Sequence, residues 1–170
     1  MKIETLGWEL VPYTILRDGP FGPGSLQQHI DYNHNYHFFT FSAEDKALLR
    51  PVALFDHIIN NADRKGSHVF FEKTTHRLYA IDHGLCFHEE DKLRTVIWDF
   101  AGQPIPADLL SAIDRLRSGL KPPASLYTDL SAHLTPEELT ALDLRAEALL
   151  TRQVFPEPPQ NRRAYPYPPL

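Results

Sequence analysis

Two aspartates in the middle of the sequence have the neighbours that phosphoryl-transfer chemistry requires. Asp63 precedes the basic pair Arg64-Lys65, and Asp82 ends an apolar run and is followed closely by Gly84. In such chemistry one carboxylate orients an attacking hydroxyl group, and another binds Mg²⁺, a hard cation that prefers oxygen ligands. The basic pair suits a metal–phosphate complex. These residues are therefore candidates for one site, with the glycine allowing the chain to leave the strand sharply.

The segments around the two aspartates predict how they approach each other. Residues 51–61 predict a helix, because proline suits its first position and apolar residues recur on one face. The apolar runs 69–71 and 78–81 predict a β-hairpin whose polar tip is 72–76. Since a hairpin reverses the chain, it returns the second aspartate towards the first.

The N-terminal part of the chain predicts two strands. Residues 10–16 are apolar but contain Pro12, which favours a short edge strand because proline cannot donate to a ladder. Residues 18–24 are dense in glycine and proline and predict a hairpin or a tight loop. Residues 25–30 then predict the second strand.

The C-terminal part predicts helices followed by an irregular tail. Residues 107–116 have a helical apolar pattern, and a helix over 135–151 begins with a capping threonine, a proline and two acids. In the tail, residues 155–170, six of sixteen residues are proline, which favours extended or polyproline II structure, packed on the surface or disordered. The expected fold class is therefore α+β and mostly helical.

Composition and charge exclude several classes of protein. A chain of 170 residues with 42% hydrophobic residues is long enough for one domain with a core. The net charge of −5 argues against a general nucleic-acid binder. The single cysteine, Cys86, excludes an internal disulfide and is expected to be a buried, inert thiol. The sequence shows neither an apolar run of membrane-spanning length nor a signal peptide, which predicts a cytoplasmic protein with no membrane span.

The two motifs resemble the catalytic loop and the metal-binding turn of phosphoinositide 3-/4-kinase-like proteins. They read Asn61-Ala-Asp-Arg-Lys-Gly-Ser-His-Val-Phe and Leu78-Tyr-Ala-Ile-Asp-His-Gly, where the family has Asp-Arg-His-x-x-Asn and Asp-Phe-Gly. The flanking segments resemble a bacterial branch of this kinase-like superfamily, distantly related to HipA-like kinases: residues 11–20, 54–61 and 92–99. The resemblance covers roughly residues 7–155 and implies a kinase-like C-terminal lobe over 1–154, followed by the tail.

The resemblance also implies the cofactors and the site residues. ATP and magnesium are the expected cofactors, and the γ-phosphoryl group passes to a hydroxyl of an unknown lipid, protein or small-molecule acceptor. Asp63 would orient that hydroxyl, with Arg64 and Lys65 supporting the loop or the phosphates. Asp82 would hold Mg²⁺, and His68 stands where the family has its second metal ligand, an asparagine.

The resemblance further implies where the nucleotide lies. Residues 25–30 would be the hinge strand between two lobes, with Gln28 and His29 facing adenine and Ile81 completing the nucleotide site. Residues 86–98 would be the activation loop, where acceptor specificity is set. His83 replaces the phenylalanine of the family's turn.

Other interpretations stay open because the N-terminal lobe is largely missing. Kinases position the phosphates with a strand lysine, and Lys2 is the sole lysine before Lys46. The alternative interpretation is a catalytically inactive pseudokinase lobe that acts as a binding module. It would form a homo-oligomer or bind a partner chain that supplies the missing lobe. A third possibility is a metal-dependent hydrolase, with zinc held by His29, His34 and His37, although structural zinc sites usually include cysteine.

Overall fold

Five α-helices and two small antiparallel sheets form an α+β structure in the computed structural model, which describes residues 6–170. This confirms the predicted fold class. The helices are α1 (Ala43–Ala47), α2 (Arg50–Ile59), α3 (Ala107–Gly119), α4 (Ser125–Ser131) and α5 (Pro136–Arg152). The strands are β1 (Thr14–Gly19), β2 (Gly22–Gln27), β3 (Val69–Phe71) and β4 (Leu78–Ala80).

Helix α2 is the most deeply buried of the helices and supports the candidate site. Seven of its ten residues are buried, so water is excluded from most of its circumference. The helix ends where Asn60 adopts a left-handed conformation with φ of 57°, which asparagine tolerates better than most residues. The predicted helix over 51–61 is therefore confirmed, with its end two residues earlier. None of the helices within residues 6–170 has the length and apolar character needed to cross a membrane.

Helices α3, α4 and α5 pack against one another, and α5 also packs against α2. Thr135 begins α5 with a capping box, because its side chain accepts a bond from the Glu138 N–H and the Glu138 carboxylate accepts one from the Thr135 N–H. The helices predicted over 107–116 and 135–151 are thus confirmed. The short helices α1 and α4 were not predicted.

Strands β3 and β4 form the predicted hairpin next to α2. Val69 pairs with Ala80, and Phe71 pairs with Leu78. The tip of the hairpin is fixed to the start of α1, because Asp45 Oδ1 lies 2.8 Å from His76 Nε2. The hairpin is therefore tied to the body of the protein at its tip as well as along its strands.

Strands β1 and β2 form an N-terminal ribbon whose position differs from the prediction. The ladder runs from Thr14 paired with Gln27 to Gly19 paired with Gly22. The hairpin predicted around 18–24 is therefore present, but only two residues make its turn and the strands differ in bounds from the predicted 10–16 and 25–30. Gly22 allows that turn with φ of 105°. All twelve strand residues are exposed.

The proline-rich tail packs against the rest of the chain without forming a helix or strand. Phe155 is buried in the core. Further along, the Ala164 carbonyl accepts bonds from the Thr95 N–H at 3.1 Å and from Trp98 Nε1 at 3.2 Å. The Pro169 carbonyl accepts a bond from the Gly66 N–H at 2.8 Å. The tail thus reaches the loop that carries Asp63.

Candidate functional site

A buried ion pair between α2 and the predicted catalytic loop organises the site. The side chains of Arg64 and Asp56 are both fully buried, and Arg64 Nη2 lies 2.9 Å from Asp56 Oδ1. Arg64 Nε also donates to both carboxylate oxygens at 3.0 Å. Arg64 is therefore sealed from solvent, and its side chain connects the loop to α2.

The same arginine fixes the end of strand β4. Arg64 Nη1 donates to the Ile81 carbonyl at 2.6 Å and to the His68 carbonyl at 3.3 Å. The Ile81 N–H donates to the His68 carbonyl at 3.0 Å. The peptide groups of Ile81 are therefore engaged by the loop immediately before Asp82.

Asn61 connects the ion pair to the first aspartate of the motif. Its Nδ2 donates to Asp56 Oδ1 at 3.1 Å, and its Oδ1 accepts a bond from the Asp63 N–H at 3.0 Å. Thr95 Oγ1 donates to the same Asp56 carboxylate at 3.3 Å. Helix α2 thereby holds the backbone of Asp63 while the Asp63 side chain stays partly open to solvent.

Asp63 and Lys65 form an ion pair at the surface of the loop. Lys65 Nζ lies 3.4 Å from Asp63 Oδ2, and the two side chains are 22% and 28% exposed, respectively. Both groups can therefore meet a molecule that approaches from solvent. Immediately after Lys65, Gly66 packs so closely on the Phe39 ring that an added Cβ would lie 2.8 Å from its Cε2 atom.

Asp82 lies beside His68, the residue at the family's asparagine position. His68 Nε2 is 3.5 Å from Asp82 Oδ2, and the Asp82 side chain is 57% exposed. Burial lowers the pKa of His68, and the negative charges of Asp82 and Asp63 oppose that change. The aspartates of the two motifs, Asp63 and Asp82, therefore both influence the pKa of His68.

The backbone turn after β4 occurs at Asp82 itself. Asp82 has φ of 57°, whereas the φ of Gly84 is not in the left-handed region. The expectation that Gly84 makes the sharp exit is therefore wrong. A left-handed aspartate is uncommon, and such residues cluster at functional sites.

His83 occupies a buried position next to α2. Its ring lies edge-on to Phe55 with 5.3 Å between centroids. Burial lowers the pKa of His83 to about 3, and the positive charge of Arg64 acts in the same direction. A neutral His83 therefore packs as an aromatic residue in the place where the family has phenylalanine.

The two residues expected to face adenine lie just after the N-terminal ribbon. Gln28 and His29 are both exposed. The Gln28 N–H donates to the Tyr13 carbonyl at 2.8 Å, so this backbone donor is already bonded. Both residues also lie outside β2, because the predicted strand over 25–30 ends at Gln27.

The histidines considered as zinc ligands and the single cysteine do not contribute to a metal site or a reactive thiol among the described residues. Within residues 6–170, no three His, Cys, Asp or Glu side chains are grouped as a metal site, and this includes His29, His34 and His37. Burial raises the pKa of Cys86 to about 12, which makes its thiol a poor nucleophile at neutral pH.

Sequence reasoning missed Asp56, which is as central to the site as the motif residues. The available signal was an acidic residue within the apolar stretch of a predicted helix, eight positions before Arg64. A buried carboxylate requires a charged partner. That rule does not say which basic residue is the partner of Asp56.

Comparison with known proteins identifies the family of the chain. No family model matches it. Protein Rv2133c of Mycobacterium tuberculosis (strain ATCC 25618 / H37Rv) is 35% identical over 198 aligned positions, which cover 96% of this chain and 70% of the relative. The chain therefore belongs to the same family as Protein Rv2133c.

Proposed function

We propose that this chain is the C-terminal lobe of a kinase-like phosphotransferase of phosphoinositide 3-/4-kinase-like ancestry. It would use ATP and Mg²⁺ and transfer the γ-phosphoryl group to a hydroxyl acceptor. The proposal rests on the resemblance of the two motifs and on the geometry that connects them.

The observation that carries the proposal is the contact between the two motifs. His68 of the loop lies 3.5 Å from Asp82 of the turn, and the charges of Asp63 and Asp82 both act on the pKa of His68. Phosphotransfer requires this convergence of a hydroxyl-orienting carboxylate and a metal-binding carboxylate. A hairpin that served only as structure would not need an exposed, left-handed aspartate at its end.

The side chains fit a magnesium site that is completed by a nucleotide. Mg²⁺ is usually bound by one or two carboxylates together with substrate phosphates and water, and Asp82 offers one carboxylate that is largely exposed. The nitrogen of His68 is a poorer ligand for this ion, so we assign His68 to positioning Asp82. When bound, the ion would neutralise charge on the phosphates.

The remaining roles follow from exposure and charge. The partly exposed Asp63 carboxylate would accept a hydrogen bond from the acceptor hydroxyl and orient its oxygen towards the γ-phosphorus. The bond to the leaving ADP oxygen breaks as the new phosphorus–oxygen bond forms. Lys65, which pairs with Asp63, would offset negative charge on the transferring group.

Calorimetric titration with ATP and Mg²⁺ tests the proposal. We expect one binding site in the unmodified protein and binding at least about tenfold weaker in Asp82→Asn, because the lost carboxylate contributes charge-assisted contacts. Asparagine tolerates a left-handed conformation, so this variant keeps the backbone. The control is Asp114→Asn, which changes an exposed aspartate of α3. Equal binding by the Asp82→Asn variant would remove this residue from the site.

The exposed N-terminal ribbon favours a second candidate, an inactive lobe that binds a partner. A two-stranded ribbon alone is only marginally stable in water, yet β1 and β2 expose Leu16 and Leu26, and the turn between them exposes Phe21. We infer that under this alternative the ribbon pairs with a second copy of the chain. The absence of a lysine between Lys2 and Lys46 agrees with it.

Light scattering after size exclusion separates the two candidates. The alternative predicts a dimer that Phe21→Asp dissociates and that Leu144→Asp, a change at another exposed apolar position, on α5, leaves intact. It also predicts no ATP binding. A monomer that binds ATP and Mg²⁺ would reject the alternative.

A further inference from the structure

A cavity of about 260 Å³ lies between α5, the end of α2 and the C-terminal tail. Its volume equals that of about nine water molecules at about 30 Å³ each, and it is smaller than most pockets for drug-sized ligands. None of Asp63, Lys65, His68 and Asp82 lines it. The cavity is therefore separate from the proposed phosphotransfer site.

Three arginines line this cavity, and two of them have no carboxylate partner. Arg162 pairs with Asp91, which leaves this pair electrically balanced. Arg145 donates only to the carbonyls of Ile58 and His88, and its Nη2 is inaccessible to solvent without a hydrogen-bond partner among the described residues. Arg152 is exposed, and its side chain has no ion pair or hydrogen bond with any of the described residues.

The lining has fewer acidic residues than arginines, because only Asp91 and Glu157 face the three guanidinium groups. Asp91 pairs with Arg162, and its charge also acts on Arg145. The carboxylate of Glu157 lies against Gly102, where an added Cβ would be 2.8 Å from Glu157 Oε1. Since a buried polar group is costly without a partner, the inaccessible Arg145 Nη2 and the excess of positive charge favour an anion in the cavity.

The remaining wall of the cavity is mostly apolar, apart from His57 and Asn60, and includes the aromatic ring of Trp98. Trp98 Nε1 donates to the Ala164 carbonyl at 3.2 Å, which fixes the orientation of the indole. His57 lies edge-on to it with 5.5 Å between centroids. Leu149, Pro156 and other apolar residues complete the lining, so a ligand here meets both cationic and apolar surfaces.

We propose that this cavity binds a small organic anion whose carboxylate or phosphate group pairs with Arg145 and Arg152 while its apolar part contacts Trp98. Guanidinium groups match both kinds of oxyanion through paired N–H donors. The volume limits the ligand to a single small ring or short chain. The inference is independent of the proposed phosphotransfer.

Titrations monitored by NMR at the Trp98 indole N–H test the proposal. The probes are benzoate, phenyl phosphate, inorganic phosphate and the neutral benzamide. We expect saturable shifts with benzoate or phenyl phosphate, and which of these two binds more tightly identifies the anionic group. Arg152→Gln should weaken binding about tenfold through the lost charge-assisted bond, and Arg152→Lys should restore part of it.

The controls separate the cavity from general attraction of anions. Arg115→Gln changes an exposed arginine of α3 outside the cavity and should leave binding unchanged. Arg145→Gln is avoided because Arg145 Nε holds the Ile58 carbonyl at 2.8 Å. The proposal fails if no probe shifts the resonance at millimolar concentration, if benzamide binds as well as benzoate, if inorganic phosphate binds as well as phenyl phosphate, or if Arg152→Gln has no effect.

Discussion

Replacing Arg64 with methionine should destabilise the protein far more than any other change to a charged residue of the motif. Arg64 and Asp56 have no exposed side-chain surface, so the variant leaves an uncompensated carboxylate in the core. Removing one partner of a buried pair costs about 3–5 kcal/mol. The Ile81 carbonyl loses a 2.6 Å bond as well. We expect the loss to lie at the upper end of that range.

Urea denaturation monitored by circular dichroism measures the effect. Lys65→Met is the matched control, because the ion pair of Lys65 is partly exposed and such pairs contribute at most about 1 kcal/mol. The double variant Asp56→Leu with Arg64→Met should lose less than the sum of the two single losses, since neither charge is then left alone. A loss below about 1 kcal/mol for Arg64→Met, or additive losses in the cycle, would refute this account of the pair.

Two further predictions concern buried titratable groups. Burial lowers the pKa of His57 to about 4 and that of His83 to about 3, both below the ordinary 6.5, so the free energy of unfolding should fall as the pH drops from 6.5 towards 4, with about 3 kcal/mol of the loss due to each histidine. His57→Gln should remove about half of that fall, and a midpoint independent of pH in the unmodified protein would contradict the assignment. Burial also raises the pKa of Cys86 to about 12, so iodoacetamide at pH 8 should label the folded protein much more slowly than the urea-unfolded chain; similar rates would show that the thiol is accessible.

The helices could be predicted where the sequence carries both a period and a boundary signal. Helix α5 has a capping box at Thr135 and helix α2 has Pro51 in its first turn, and both were placed within two residues. Helix α1 has five residues and α4 has seven. Segments this short show less than two full turns, so they offer no reliable period.

The N-terminal ribbon shows how turn-forming residues indicate a hairpin without giving the bounds of its strands. Residues 18–24 contain three glycines and two prolines, which predicted the turn but not how far the strands extend into this segment. Only Pro20 and Phe21 make the turn, and the glycines at 22 and 24 lie in β2. With every residue of the ribbon exposed, no buried face was present to produce the alternation that identifies strands.

The two carboxylates of the site could be predicted because the hairpin between them is local. Strands β3 and β4 are adjacent in the chain, so their pairing follows from apolar runs around a polar tip. The partner of Arg64 could not be predicted in the same way. Its contact with Asp56 depends on how α2 packs against the loop, which is a tertiary property that sequence spacing does not specify.

The buried residues of the site, rather than its exposed ones, hold its backbone in place. Asp82 keeps a left-handed conformation that costs about 1–3 kcal/mol, and the preceding residue, Ile81, is held at its N–H by the His68 carbonyl and at its carbonyl by Arg64. Groups that are fixed before a ligand arrives lose less entropy on binding. A substitution at Arg64 therefore reaches Asp82 through a single peptide group, whereas a substitution at Lys65 alters charge at the surface and leaves that peptide in place.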